Sequence, residues 1–171
     1  MTHSPDTEID IKERPEFADF VLSVLDQIGR SVDPESGVVD YEAIEKALLA
    51  NTEQELVPSI QISHQFCSGV YLREMQAPAG SLVLGHKHGE SCFNIILKGR
   101  MRVLMDGRMV DVQGPCVFKS EAGSRKLGYV LEDLTWINVI ASESTEVEDI
   151  EKRFIIKSPT YLEWEASHQL T

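Results

Sequence analysis

The 171-residue sequence predicts a mainly β fold, a sandwich or barrel with two helices before it and a short one after it. Three observations predict this. From residue 59 the apolar residues recur at every second position, in nine short segments broken by turn residues. No helical pattern separates those segments, which disfavours a parallel α/β sheet and leaves a closed or two-layered antiparallel one. Before residue 59 the apolar spacing is that of a helix.

In order, residues 1–14 read as a flexible acidic arm and residues 15–57 as a helical segment. Phe17, Phe20, Val21, Val24, Leu25 and Ile28 fall on one helical stripe, with Gly29 as a stop signal. "VDPESGVVD" is turn chemistry, punctuated by Pro34 and Gly37. Asp40 suits an N-cap, and Tyr41, Ile44, Leu48 and Leu49 form a second stripe ending near Asn51. Stripes this apolar need a surface to cover, either the domain's own sheet or a second subunit.

Residues 58–142 carry the strands: "SIQISHQ", "GVYLREMQ", "SLVL", "SCFNIIL", "RMRVLM", "RMVDV", "PCVF", "KLGYVL" and "LTWINVI". Asp106-Gly107 between two of them marks a tight hairpin. Residues 143–171 read as an acidic helical tail. There "TEVE" has capping-box spacing, Thr145 to Glu148, ahead of a helix over 146–153.

The net charge of −12 is uneven: −10 over residues 1–57, +2 over 58–142 and −4 over 143–171. So negative a chain is unsuited to general binding of nucleic acid or anionic membrane. The basic cluster "KGRMR" (98–102) reads as a solvated strand face. No apolar run reaches the roughly 18 residues of a spanning helix. The acidic start, "MTHSPDTEIDIKERPEF", matches neither a signal nor a transit peptide. Cys67, Cys92 and Cys116 are odd in number and lack C-x-x-C spacing, so the cytoplasm is the simplest compartment.

The stretch "GSLVLGHKHGESCFNIILKG" (80–99) carries the chemistry. Residues two apart on a strand share a face, so His86 and His88 project together, as do Cys92, Asn94 and Ile96. Paired imidazoles can hold a divalent transition metal if a third ligand joins them, and Cys92 is at hand. The alternative for Cys92 is a small core residue. His64 is either a further imidazole or a hydrogen-bonded structural residue. Tyr71 and Arg73 share a face with Met75, as ligand contacts at a barrel mouth or as outer cover. Trp136 and Asn138 alternate likewise, with core packing the default for the tryptophan. Glu132 and Asp133 point opposite ways and make no acid–base pair. No nucleophile-elbow, phosphate-loop or dinucleotide fingerprint occurs.

That stretch resembles the first motif of the cupin superfamily: a glycine, His-x-His, a glutamate and a closing glycine. Gly80, His86, His88 and Gly99 fit, Cys92 stands where the glutamate belongs, and Glu90 lies two residues early. The second motif is matched by "SEAGSRKLGYVLED" (120–133), where Ala122 and Gly123 fit the turn. Lys126 stands at the histidine position with Arg125 beside it. Over about 60–142 the sequence resembles small cupin-like proteins of phage and prophage genomes.

The resemblance implies a cupin-type double-stranded β-helix barrel over 58–142 and a homodimer. It also implies a degenerate metal motif that keeps two of four ligands. If Lys126 points inward, its charge opposes a metal and suits a carboxylate or phosphate. The expectation is a non-catalytic or regulatory barrel that binds a small anionic molecule through His86, His88, Cys92, Asn94, Lys126, Tyr71 and Arg73, without cofactor. One alternative is a metal-dependent enzyme of dioxygenase or isomerase type using His86, His88 and Cys92 or Glu90. The other is a phage structural or assembly protein with an empty barrel, in the host cytoplasm.

Overall fold

The chain was analysed as a computed structural model that describes residues 38–50, 60–105 and 107–168, with Asp26, residues 29–31, Asp33 and Ser36. The expected arm (1–14), most of the first helical stripe and residues 51–59 lie outside the described residues. Gly29 does not act as the expected stop, because Gly29 and Arg30 both carry helical backbone.

The described chain is mainly antiparallel β, as its period-two pattern dictates. Its strands are β1 (Gln61–Cys67), β2 (Val70–Ala77), β3 (Leu82–Leu84), β4 (Lys87–His88), β5 (Cys92–Met105), β6 (Arg108–Gln113), β7 (Cys116–Ser120), β8 (Leu127–Ala141) and β9 (Ile155–Ile156). The order β1-β2-β8-β5-β6 runs through the main sheet, β3 adds to β8 and β7 to β5, and β4 pairs with β9 alone.

Two long strands make two layers from this one sheet. The first half of β5 lies between β7 and β8, and its second half between β6 and β8. The bend falls at Gly99, where the β5–β8 register shifts. Gly99 has φ +86°, and an added Cβ would sit 2.3 Å from the Asp133 carbonyl oxygen. Only glycine fits such a turn. The hairpin expected at 106–107 is present: Met105 faces Arg108, and Gly107 takes φ +69°.

Between the layers lie Ala77, Ile96, Met101, Val103, Val130, Leu134 and Trp136. The "KGRMR" strand face is outside this core and solvated, with Arg102 Nε donating to Asp111 Oδ1 at 2.7 Å.

Helix α1 (Tyr41–Leu49) starts as expected, with the Asp40 side chain accepting from the Ala43 N–H at 3.0 Å. Its stripe covers the chain's own sheet: Ile44 packs on Leu104 and Leu127. Helix α2 (Val147–Phe154) lacks the expected capping box. Its N-cap is Glu146, without a side-chain cap, because Ser144 Oγ already accepts the Glu146 N–H at 3.1 Å. Ile150 and Phe154 of α2 pack on Tyr71, Cys92 and Ile140. A further helix, α3 (Pro159–His168), follows β9. Ser158 caps it, with Oγ accepting the Tyr161 N–H at 3.0 Å.

Candidate functional site

A cavity of about 450 Å³ opens between the layers. Cross-strand register builds its floor: Arg73 on β2, Asn138 on β8 and Asn94 on β5 stand side by side. The next row, Met75, Trp136 and Ile96, continues the apolar wall. His86 and His88 enter from the segment around β4, Lys126 from the start of β8, and Phe154, Ile155 and Tyr161 from the C-terminal elements.

Of the residues expected to bind ligand, His86, His88, Asn94, Lys126 and Arg73 line this cavity. Asn94 is fully committed to the protein. Its Oδ1 accepts from Trp136 Nε1 at 3.1 Å and Asn138 Nδ2 at 3.0 Å, and its Nδ2 donates to Ser120 Oγ at 2.8 Å. Asn94 therefore fixes the floor, and the groups that face a ligand are Arg73, His86, His88 and Lys126.

Tyr71 and Cys92 share the inward face of their strands, as their positions predict, but lie further along it, beneath α2. The Tyr71 hydroxyl is hydrogen-bonded to His64 Nδ1 at 2.6 Å, which makes His64 a structural histidine. Burial, and after it the Glu151 carboxylate, pushes the tyrosine up to about 12.

Cys92 Sγ lies 3.7 Å from His88 Nδ1 and 3.9 Å from Asn138 Nδ2, a grouping with the composition of a nucleophile and its base. The electrostatics oppose that role. Burial pushes the Cys92 thiol up. Burial, then the Lys126, Arg73 and His86 charges, pushes His88 down to about 4. The proton stays on sulfur, and the thiol is unreactive.

The expected metal set does not assemble. Among the described residues no three His, Cys, Asp or Glu side chains are gathered in a way that could hold a metal ion. Glu90 is turned outward, its two carboxylate oxygens 2.8 and 2.7 Å from Arg153 Nη1. Cys92 is behind His88 under α2. Two imidazoles remain, faced by Lys126 and Arg73, and this donor set does not fit a transition metal.

Arg125 is not a ligand group either. Neighbours on an extended segment point apart, so Lys126 faces in while Arg125 faces α1. Its Nη2 donates to Glu45 Oε1 and its Nε to the Gly85 carbonyl at 2.9 Å. Glu45 Oε2 also accepts from Ser158 Oγ, tying α1 to the cap of α3.

The imidazole of His86 packs edge-on against Tyr161, ring centres 4.5 Å apart. Its Nδ1 is buried and has no hydrogen-bond partner. Burial first, and the Arg125 charge second, lower its pKa. The cavity thus offers two cations, two neutral imidazoles and apolar walls, and no Asp or Glu lines it. Tyr161, Phe154 and Ile155 were not legible as site residues. The Ser158-Pro159 pair signals a helix start, but nothing local indicates where that helix docks.

No family model matches the chain, and no curated protein does. Solved structures with a similar shape exist. KdgF from Halomonas sp. is 15% identical with a TM-score of 0.45, over 58% of this chain and 95% of that one. A predicted oxalate decarboxylase from Thermotoga maritima is 21% identical with a TM-score of 0.41, over 48% and 79%. An RmlC-like cupin family protein with a double-stranded β-helix fold, from Methanocaldococcus jannaschii, is 15% identical with a TM-score of 0.43, over 53% and 86%.

Proposed function

We propose that the protein is a non-catalytic, cupin-type barrel that binds a small organic anion in the cavity between its layers. One observation carries this. In a chain of net charge −12, the cavity holds Arg73 and Lys126 and no carboxylate lines it. An anion supplies the missing charge, and an apolar body suits walls such as Met75, Val103 and Trp136. The orphaned Nδ1 of His86 supports a ligand that also carries a hydrogen-bonding group, since a buried polar atom without a partner is costly. A metal-dependent activity of the dioxygenase or isomerase type lacks a third donor among the described residues.

The test is a thermal-shift screen of short-chain and aromatic carboxylates, sugar phosphates and nucleotides. A ligand at a hundred times its Kd stabilises by about 2.7 kcal/mol, which moves the midpoint by several degrees. Stabilisation by an anion, lost in Lys126→Glu, supports the reading. No shift with any anion, or one that survives Lys126→Glu, refutes it.

A further inference from the structure

The outer face of the β2-β8-β5-β7 layer is apolar and open. Two registered rows cross it: Glu74, Ile137, Ile95 and Val117, and beside them Leu72, Val139, Phe93 and Lys119. Phe93 is 56% exposed, Leu97 57% and Val117 63%. Solvated sheet faces ordinarily carry polar side chains, and a contiguous apolar patch marks a contact surface. Helix α1 does not cover this patch, because it sits on Leu104 and Leu127 in the other layer.

We propose that this face is where a second copy of the chain docks, sheet on sheet, about a two-fold axis. The charges at the patch ends commit it to that occupant. Glu74 closes one row on β2, and Lys119 closes the other on β7, three strands away. At about 4.8 Å per strand they stand roughly 14 Å apart. A two-fold axis in the contact plane, passing between β8 and β5, sets Glu74 against the partner's Lys119. The same rotation repeats the pair on the other side, as an isologous interface requires. Between the two pairs Ile137, Ile95, Val139 and Phe93 meet their own copies. The polar residues Gln61, Ser63 and Gln65 of β1 form the rim next to β2, the apolar-centre, polar-edge layout of a protein interface.

Within the chain Glu74 accepts from Gln76 at 2.7 Å, and Lys119 pairs with Glu121 at 2.8 Å. Both contacts are open to solvent, worth little and exchangeable. Residues 58–142 carry net +2, so the chain's negative charge does not concentrate on this segment.

Sedimentation velocity of the full chain at tens of micromolar tests the proposal. The wild type is expected to be a dimer, and Val117→Glu a folded monomer. Glu74→Lys and Lys119→Glu, each at an exposed site, should each weaken the dimer at least about tenfold. The double variant Glu74→Lys/Lys119→Glu should recover to within about threefold of the wild type, because the reversed pairs attract again. A monomeric wild type overturns the proposal and leaves the face to residues 1–25 or to another protein. A dimer indifferent to these changes, or a double variant no better than the singles, overturns it too.

Discussion

Glu45 of α1 and Arg125, just ahead of β8, form a buried ion pair whose side chains keep 4% and 11% of their exposure. Arg125 also lies 5.7 Å from the centre of the Tyr41 ring. Removing one partner strands the other charge in a dry site. Glu45→Ala should therefore lower the unfolding free energy by about 3–5 kcal/mol, whereas Glu45→Leu/Arg125→Met should cost less than either single change. Urea unfolding of the three variants measures this, and a double variant worse than both singles would contradict it.

Gly99 marks the bend that divides β5 between the layers. Gly99→Ala forces an L side chain into positive φ and against the Asp133 carbonyl. A loss of about 1–3 kcal/mol is expected for the backbone conformation alone, and more for the clash. An unchanged denaturation midpoint would show that the bend can move.

Asn94 links β5, β7 and β8 through its amide. Asn94→Leu leaves the Trp136 and Asn138 donors facing an apolar group, at about 1–3 kcal/mol for each buried group left unpaired. The loss should appear in stability and in the near-ultraviolet signal of Trp136. If stability holds and only ligand affinity falls, Asn94 contacts the ligand directly.

Acid should destabilise the fold through His88. Its folded pKa of about 4 lies below the ordinary value of about 6.5 for the unfolded chain. The unfolded state then binds more protons between those values, so stability is full above pH 6.5 and is lost as pH falls towards 4. This window is worth up to about 3 kcal/mol at that one site. The wild type should lose more stability than His88→Gln between pH 7 and pH 4.5, measured by urea midpoints at both values. Equal losses in the two proteins would remove His88 as the cause.

A bound anion favours the charged imidazole. Anion affinity should therefore rise as pH falls from 7.5 to 5.5, provided the anion stays ionised, and rise less in His88→Gln. Calorimetric titration across that range checks the slope. Arg73→Ala should weaken the same anion by about 2–5 kcal/mol at either pH, or less to the extent that Glu151, 3.2 Å from Arg73 Nε, already offsets the guanidinium charge.

Strand parity was readable in the sequence. Cys92, Asn94 and Ile96 do share the buried face, and Asp40 and Gly107 do what their residue types predict. What the pattern did not carry was position along that face. Tyr71 and Cys92 point the same way as Arg73 and Asn94, yet α2 covers the first pair and leaves the second facing the cavity. That outcome depends on where Ile150 and Phe154 dock, a contact distant in sequence. Gly99 read as the end of a strand, because a bend and a break use the same residue. Arg125 read as a partner of Lys126, because its pairing with Glu45 spans the chain.

Phe154, Ile155 and Tyr161 give the barrel cavity a wall that belongs to no strand of the main sheet. Floor and lid are thus written in separate stretches of the chain. Substitutions after residue 142 can reshape what the cavity accepts while every rung of the main sheet stays in place. Selectivity can therefore drift, or be engineered, by exchanging the tail, with the cationic floor held constant as the part that recognises charge.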